Sequence, residues 1–173
     1  AHCRTKHPDV FAAGDAANFH NPALDCRRRV EHEDNALTMG ACAVGASQKL
    51  LELSVEQVQK KIQAGKSKDD LQAVQFTLAD MATEIYAGRQ MLYQAARLRD
   101  AGKAITREAS MVKLFCTEMA SRIADRAMDI FESRGCLRKS RIEIFLRDVR
   151  LYRIFEGTSE IQRMLISRDL LRK

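Results

Sequence analysis

A short stretch between two helical patterns, residues 156–160, combines residue types that could do chemistry: Glu-Gly-Thr-Ser-Glu. Glu156 ends the first pattern and Gly157 follows, so the backbone at this break can approach a ligand closely. A carboxylate that projects from such a break can act as a general base. The alternative interpretation is that Glu156 is an ordinary solvated residue between two helices.

The helix after this break has two candidate caps. Ser159 with Gln162 three residues later matches a capping box, and Thr158 is the other candidate. With either cap, the free amides of the first helical turn could bind anionic oxygens.

Amphipathic helices must position this segment. Five helices are predicted. Three of them cover about 40–63, 140–155 and 158–171, and the other two are long central helices separated by a stop at 101–103. Long antiparallel helices with short connections indicate an all-α fold, an up-and-down four-helix bundle plus a final C-terminal helix. The two central helices are predicted from apolar residues at steps of four and three, which form one seam at Val74, Leu78, Met81, Ile85, Gly88 and Leu92 and a second at Val112, Cys116, Met119, Ile123, Ala127 and Ile130.

Composition places the chain among folded globular proteins. Of 173 residues, 46% are hydrophobic and 30% charged, which fits one domain of ordinary size or two small ones. No apolar run approaches the length of a membrane helix, and charges in the first ten residues argue against a signal peptide. We therefore expect an intracellular protein, cytoplasmic if bacterial and in the mitochondrial matrix if eukaryotic.

The charge pattern and the positions of cysteine and histidine do not indicate a nucleic-acid-binding protein or a metalloprotein. The formal net charge is +6, and its basic excess falls in residues 89–173 among carboxylates at helical spacing. This pattern favours solvated helix faces over a phosphate-bearing ligand or nucleic acid. Five scattered cysteines without a C-x-x-C pair, and four histidines confined to the first 32 residues, predict no metal site.

The first residues differ from the helical body. Both prolines lie there, and residues 9–15 form a short, apolar, strand-like run that ends in Gly-Asp. Asp15 could hydrogen-bond a sugar hydroxyl, although a simple turn is the alternative. We predict a short irregular or strand-like head over residues 1–39 and a helical bundle over residues 40–173.

The helical body resembles the acyl-CoA dehydrogenase family. Residues 156–163, Glu-Gly-Thr-Ser-Glu-Ile-Gln-Arg, are similar to the C-terminal signature of that family. Residues 72–76 and 78–82 resemble its second C-terminal helix, and residues 40–49 resemble the start of its first. The resemblance implies oxidation of the Cα–Cβ bond of acyl-CoA thioesters with FAD, in a homo-oligomer that passes electrons to an electron-transferring flavoprotein.

The same resemblance assigns roles to single residues. Glu156 corresponds to the base that removes the α-proton of the substrate. Arg168 matches a substrate-side arginine, and Gly157 lines the thioester. The implied FAD contacts are Lys61, Gln72, Thr158 and Glu160.

Two flavin motifs depart from the family pattern. The Arg-x-x-Phe-Gly motif is replaced by a sequence that begins at Lys61, which keeps the charge but loses the bidentate fork. In the family's glycine-rich diphosphate loop, two glycines are replaced by Glu132 and Ser133, and Asp129 adds a further carboxylate. These changes predict weak FAD binding.

The head resembles a different flavoprotein family. Residues 5–15 and 29–36 are similar to a late flavin-binding segment of FAD-dependent pyridine nucleotide oxidoreductases of the apoptosis-inducing factor type. This resemblance makes Asp15 a ribityl contact of FAD. It also gives one alternative function, a nucleotide-dependent flavin reductase with a helical appendage. The altered flavin loop of the helical body gives another, a non-catalytic helical oligomerisation module that has kept Glu156.

Overall fold

The computed structural model describes residues 18–21, 26–29, 32–67 and 69–172, with side chains over 33–67 and 70–172. The strand-like run at 9–15, including Asp15, lies outside the described residues. Two short strands pair antiparallel, and five helices follow. The elements are β1 Asn18–Asn21, β2 Cys26–Arg29, α1 His32–Gln63, α2 Gln72–Asp100, α3 Thr106–Phe131, α4 Arg141–Tyr152 and α5 Ser159–Leu170.

Helix α3 is the centre of the bundle because it packs against each of the other four helices. All six residues of its predicted seam are buried. On α2, the middle of the predicted seam, Met81 to Gly88, is buried and the outer positions are partly buried. The all-α bundle and both seams are therefore confirmed.

Helices α1 and α3 lie very close together where Gly40 faces Val112. A Cβ atom added at Gly40 would come within 2.6 Å of Val112 Cγ1, so a larger residue there would push the helices apart.

The prediction that the first helix starts near residue 40 is wrong, since α1 begins at His32. Its first turn carries Glu33 and Asp34, which suit the positive end of a helix dipole. Arg99 at the end of α2 lies 2.9 Å from Glu33 and 3.3 Å from Asp34, and Thr106 of α3 donates a hydrogen bond to Glu33. These partners come from distant parts of the chain.

The cap of α5 is Thr158, whose hydroxyl accepts a hydrogen bond from the amide of Ile161. The capping-box prediction for Ser159 is wrong. Ser159 is the first residue of the helix, and its hydroxyl donates to Glu118 of α3 at 2.7 Å.

The bundle has two ends with different contacts. The Glu156 end comprises the start of α1, the end of α2, the start of α3 and the α4–α5 connection. The Lys61 end comprises the end of α1, the start of α2 and the end of α3. The stretch of α1 from Asn35 to Lys61 spans about 39 Å at the α-helical rise per residue. Among the described helices, none is long and apolar enough to cross a membrane.

Candidate active site

The connection between α4 and α5 places Glu156 and Gly157 in unusual backbone conformations. Their φ angles are 53° and 89°, both in the left-handed region. Glycine adopts this region freely, whereas the Cβ atom of a glutamate makes it cost about 1–2 kcal/mol. Surrounding contacts must hold Glu156 in this conformation.

A buried lysine supplies one of these contacts through the next residue, Gly157. Lys113 of α3 is fully buried, and its Nζ atom donates a hydrogen bond to the carbonyl oxygen of Gly157 at 2.6 Å. The buried amide of Gln162 donates to the same oxygen at 3.3 Å. Burial lowers the pKa of Lys113, while the carboxylates of Glu118, Glu156 and Glu160 oppose that shift. The turn that carries Glu156 is thus fixed from the core side.

A single carboxylate on α3 ties the two sides of the connection together. Glu118 Oε1 accepts the hydrogen bond from Ser159 and lies 3.0 Å from Arg153 Nε. The amide of Ser159 also donates to the carbonyl of Arg153 at 3.1 Å. Glu118 therefore anchors both the end of α4 and the start of α5.

The side chain of Glu156 is oriented by Asn35 at the start of α1. Asn35 Nδ2 donates a hydrogen bond to Glu156 Oε2 at 2.7 Å, and the carboxyl group is half-buried. Asn35 thus directs a carboxylate that still borders the surface. Ile154 and Phe155, the preceding residues, are about half exposed and give the surroundings an apolar character.

Sequence reasoning missed Asn35, Lys113 and Glu118, and it assigned Gln162 to a capping box rather than to the Gly157 carbonyl. One local signal was available, because Lys113 and Thr117 are polar residues four positions apart that flank the apolar seam of α3. Both are fully buried. A buried lysine needs a partner, and the Gly157 carbonyl that serves as its partner could not be identified from spacing.

Three other residues with predicted roles, Thr158, Glu160 and Arg168, lie at the Glu156 end of the bundle. Thr158 caps α5. Glu160 is exposed, and hydrogen bonds from its own amide and from the Thr158 hydroxyl hold its pKa below the usual range. Arg168 lies on α5 in a groove of about 360 Å³, which it shares with Arg107 and Arg172.

Two residues assigned to FAD lie at the other end. Gln72 is the exposed first residue of α2. Lys61 Nζ lies 2.7 Å from Glu132 Oε1 and donates to the carbonyl of Ile130 at 3.1 Å. The stretch of α3 from Lys113 to Ile130 spans about 26 Å. One chain therefore does not bring Lys61 and Glu156 into one site.

The Lys61 end does not fit the diphosphate of FAD. Glu132 occupies a loop position with φ of 55°, a conformation that a glycine adopts without strain. Its carboxylate already pairs with Lys61, the cation expected at this site. No cluster of potential metal ligands occurs among the residues that the structure describes.

The α-helical bundle and the Glu-Gly-Thr connection held at one end agree with the class of helical domain that the sequence resembles. The family model for the acyl-CoA dehydrogenase C-terminal domain matches residues 32–171. The chain belongs to this family.

Individual relatives agree with this assignment. The chain is 43% identical over 136 residues to a probable acyl-CoA dehydrogenase, YngJ of Bacillus subtilis, covering 79% of this chain and 36% of the relative. It is 36% identical over 137 residues to CarC, a subunit of the caffeyl-CoA reductase-Etf complex of Acetobacterium woodii, with the same two coverages. The chain thus spans about a third of the length of these curated relatives.

A solved structure shows the same fold. Butyryl-CoA dehydrogenase from Megasphaera elsdenii superposes with a TM-score of 0.78 at 29% identity. The match covers 87% of this chain and 42% of the other. The resemblance of the head to apoptosis-inducing factor, and the domain boundary near residue 39, stay predictions.

Proposed function

We propose that this chain supplies the catalytic base of an acyl-CoA dehydrogenase, with Glu156 as that base. The observation that carries the proposal is the fixed conformation of Glu156, which Lys113 supports through Gly157 and Asn35 orients at the carboxylate. A base must be held within hydrogen-bond reach of the proton that it removes. Fixing the turn before substrate arrives reduces the cost of reaching that geometry.

The proposed step is a proton transfer. A carboxylate oxygen of Glu156 forms a bond to the α-hydrogen of the acyl-CoA thioester as the Cα–H bond breaks. The electron pair moves into the thioester as an enolate. FAD supplies the two-electron acceptor of the complete reaction in this family, and the residues described above account for the proton step.

The substrate class and the partners are part of the proposal. Acyl-CoA is the proposed substrate, with Gly157 lining the thioester and Arg168 on the substrate side. Thr158 and Glu160 are proposed flavin contacts at the same end. The name of CarC places that relative in a complex with an electron-transferring flavoprotein, which supports such a partner here.

Separation of the two ends supports self-association. The residues that the family resemblance assigns to FAD, Thr158 and Gln72, lie at opposite ends of one chain, so the family's flavin site is one that two chains share, even where Glu132 weakens flavin binding at the Lys61 end of this chain. Symmetric association is the commonest way to build such a shared site. We therefore propose a homo-oligomer.

The test is the exchange of α-hydrogens of butyryl-CoA into D₂O, measured by mass spectrometry. Replacing Glu156→Gln keeps the shape of the side chain and removes its basicity, so exchange should fall by roughly 10²–10⁴-fold. The control is Glu56→Gln, which changes an exposed carboxylate on α1. An unchanged exchange rate in Glu156→Gln, with exchange present in the wild type, would place the base elsewhere.

A second candidate function is a non-catalytic oligomerisation module. Exposed apolar side chains on α4 and α5 favour it, because such surfaces usually meet a partner. Light scattering that shows an oligomer, together with no exchange and no flavin absorbance, would favour this function. The exposed residues are Ile144, Leu151, Ile161, Met164 and Leu170.

A further inference from the structure

Glu132, just after α3, has a backbone conformation that suits glycine. Its φ and ψ are 55° and −144°, close to a region that residues with a Cβ atom rarely adopt. Three non-glycine residues among those described have positive φ, and the other two are Lys139 and Glu156. The loop keeps a glycine-like path although a glutamate occupies the position.

The side chain of Glu132 has its own set of partners. Its carboxylate pairs with Lys61 at 2.7 Å, and Lys61 also donates to the carbonyl of Ile130 at the end of α3. The hydrogen bond from Lys61 lowers the pKa of the Glu132 carboxyl, and Lys66 and Arg134 lower it further. Three cations therefore act on one carboxylate.

We infer that the Glu132 carboxylate occupies the anion position of this loop and closes it to the diphosphate of a flavin dinucleotide. The Cβ and the side chain of Glu132 fill the space that an approaching phosphate would need. A second anion would also meet repulsion from the carboxylate, and Lys61 is already engaged. The inference rests on the proposed function only in naming the excluded anion as a flavin diphosphate.

The geometry indicates what would reopen the loop. Removing the Cβ and the carboxylate together relieves the backbone and frees Lys61, while Lys66 and Arg134 remain nearby. Replacing the carboxylate by an amide removes the charge and keeps the unfavourable backbone conformation. Glu132→Gly and Glu132→Gln therefore separate the two contributions.

The experiment compares these two variants with the wild type by calorimetric titration with inorganic pyrophosphate. We expect Glu132→Gly to bind pyrophosphate about tenfold more tightly than the wild type or better, with Glu132→Gln between them. Adding Lys61→Met to Glu132→Gly should remove the gain. Thermal melts should show Glu132→Gly about 2–4 °C above Glu132→Gln, because the backbone conformation no longer opposes folding.

Equal pyrophosphate affinities for the wild type and Glu132→Gly would overturn the inference. A wild-type protein that purifies with one FAD per chain, and loses it in Lys61→Met, would overturn it as well, because Lys61 would then bind the diphosphate. Both measurements are independent of Glu156. A failure of α-hydrogen exchange would leave this result unaffected, and a failure here would leave the base assignment unaffected.

Discussion

The two ends of the bundle each contain a lysine that binds a backbone carbonyl, yet they serve opposite purposes. Lys113 is fully buried and holds the Gly157 carbonyl, which keeps the turn of Glu156 in place. Lys61 lies near the surface and pairs with Glu132, a carboxylate that is 70% exposed. In our proposals, one end holds the catalytic base and the other is closed to an anion.

The two ends differ in how they stabilise a glutamate that has a positive φ. At the Glu156 end, a glutamate with positive φ is supported by contacts from α1, α3 and α5. At the Lys61 end, Glu132 also has positive φ, but a single lysine beside solvent is its ion-pair partner. Contacts from the core can maintain a strained functional residue, whereas a surface ion pair contributes little.

The largest expected effect is a loss of stability when the core that joins the two ends is disrupted. Ile123 is fully buried in the middle of α3, and Ile123→Ala should cost roughly 2–5 kcal/mol through the cavity that it leaves. Denaturant unfolding measures this loss.

The control is Arg97→Ala on the exposed face of α2, which should cost less than about 0.5 kcal/mol. If both substitutions destabilised the protein equally, α3 would not be the common core of the two ends.

The smallest expected effect is the stability that is lost at acid pH when the Glu132 carboxylate at the Lys61 end is protonated. The folded-state pKa of Glu132 is lowered, so its contribution to stability is complete above the usual pKa of glutamate, about 4.3, and is lost as pH falls through the lower folded value. Thermal melts from pH 6 to pH 3 should show a slightly steeper loss for the wild type than for Lys61→Met. Identical curves would mean that the ion pair does not form in solution.

Local patterns predicted the helices and their buried faces because an amphipathic helix has a period that the sequence displays directly. The seam of α3 from Val112 to Ile130 was predicted residue by residue. The start of α1 was missed because its first turn is stabilised by Arg99 and Thr106, which are far away in the sequence.

The contacts of the site could not be predicted in the same way. Asn35 and Glu156 are 121 positions apart, and Lys113 and Gly157 are 44 positions apart. The family motif predicted Glu156 as the base, which stays a proposal, and the replaced glycines predicted an altered loop. The pairing of Lys61 with Glu132 depends on how the ends of α1 and α3 meet, which no short motif specifies.

The most direct test measures α-hydrogen exchange of butyryl-CoA in two matched variants, Lys113→Met and Lys61→Met, each below its own melting midpoint. Misplacing a catalytic group by about 1 Å can cost about 10²-fold in rate, so Lys113→Met should lose exchange on this scale while Lys61→Met stays within about twofold of the wild type. Equal losses in the two variants, or a larger loss in Lys61→Met, would contradict the account that the buried lysine maintains the base and the exposed lysine does not.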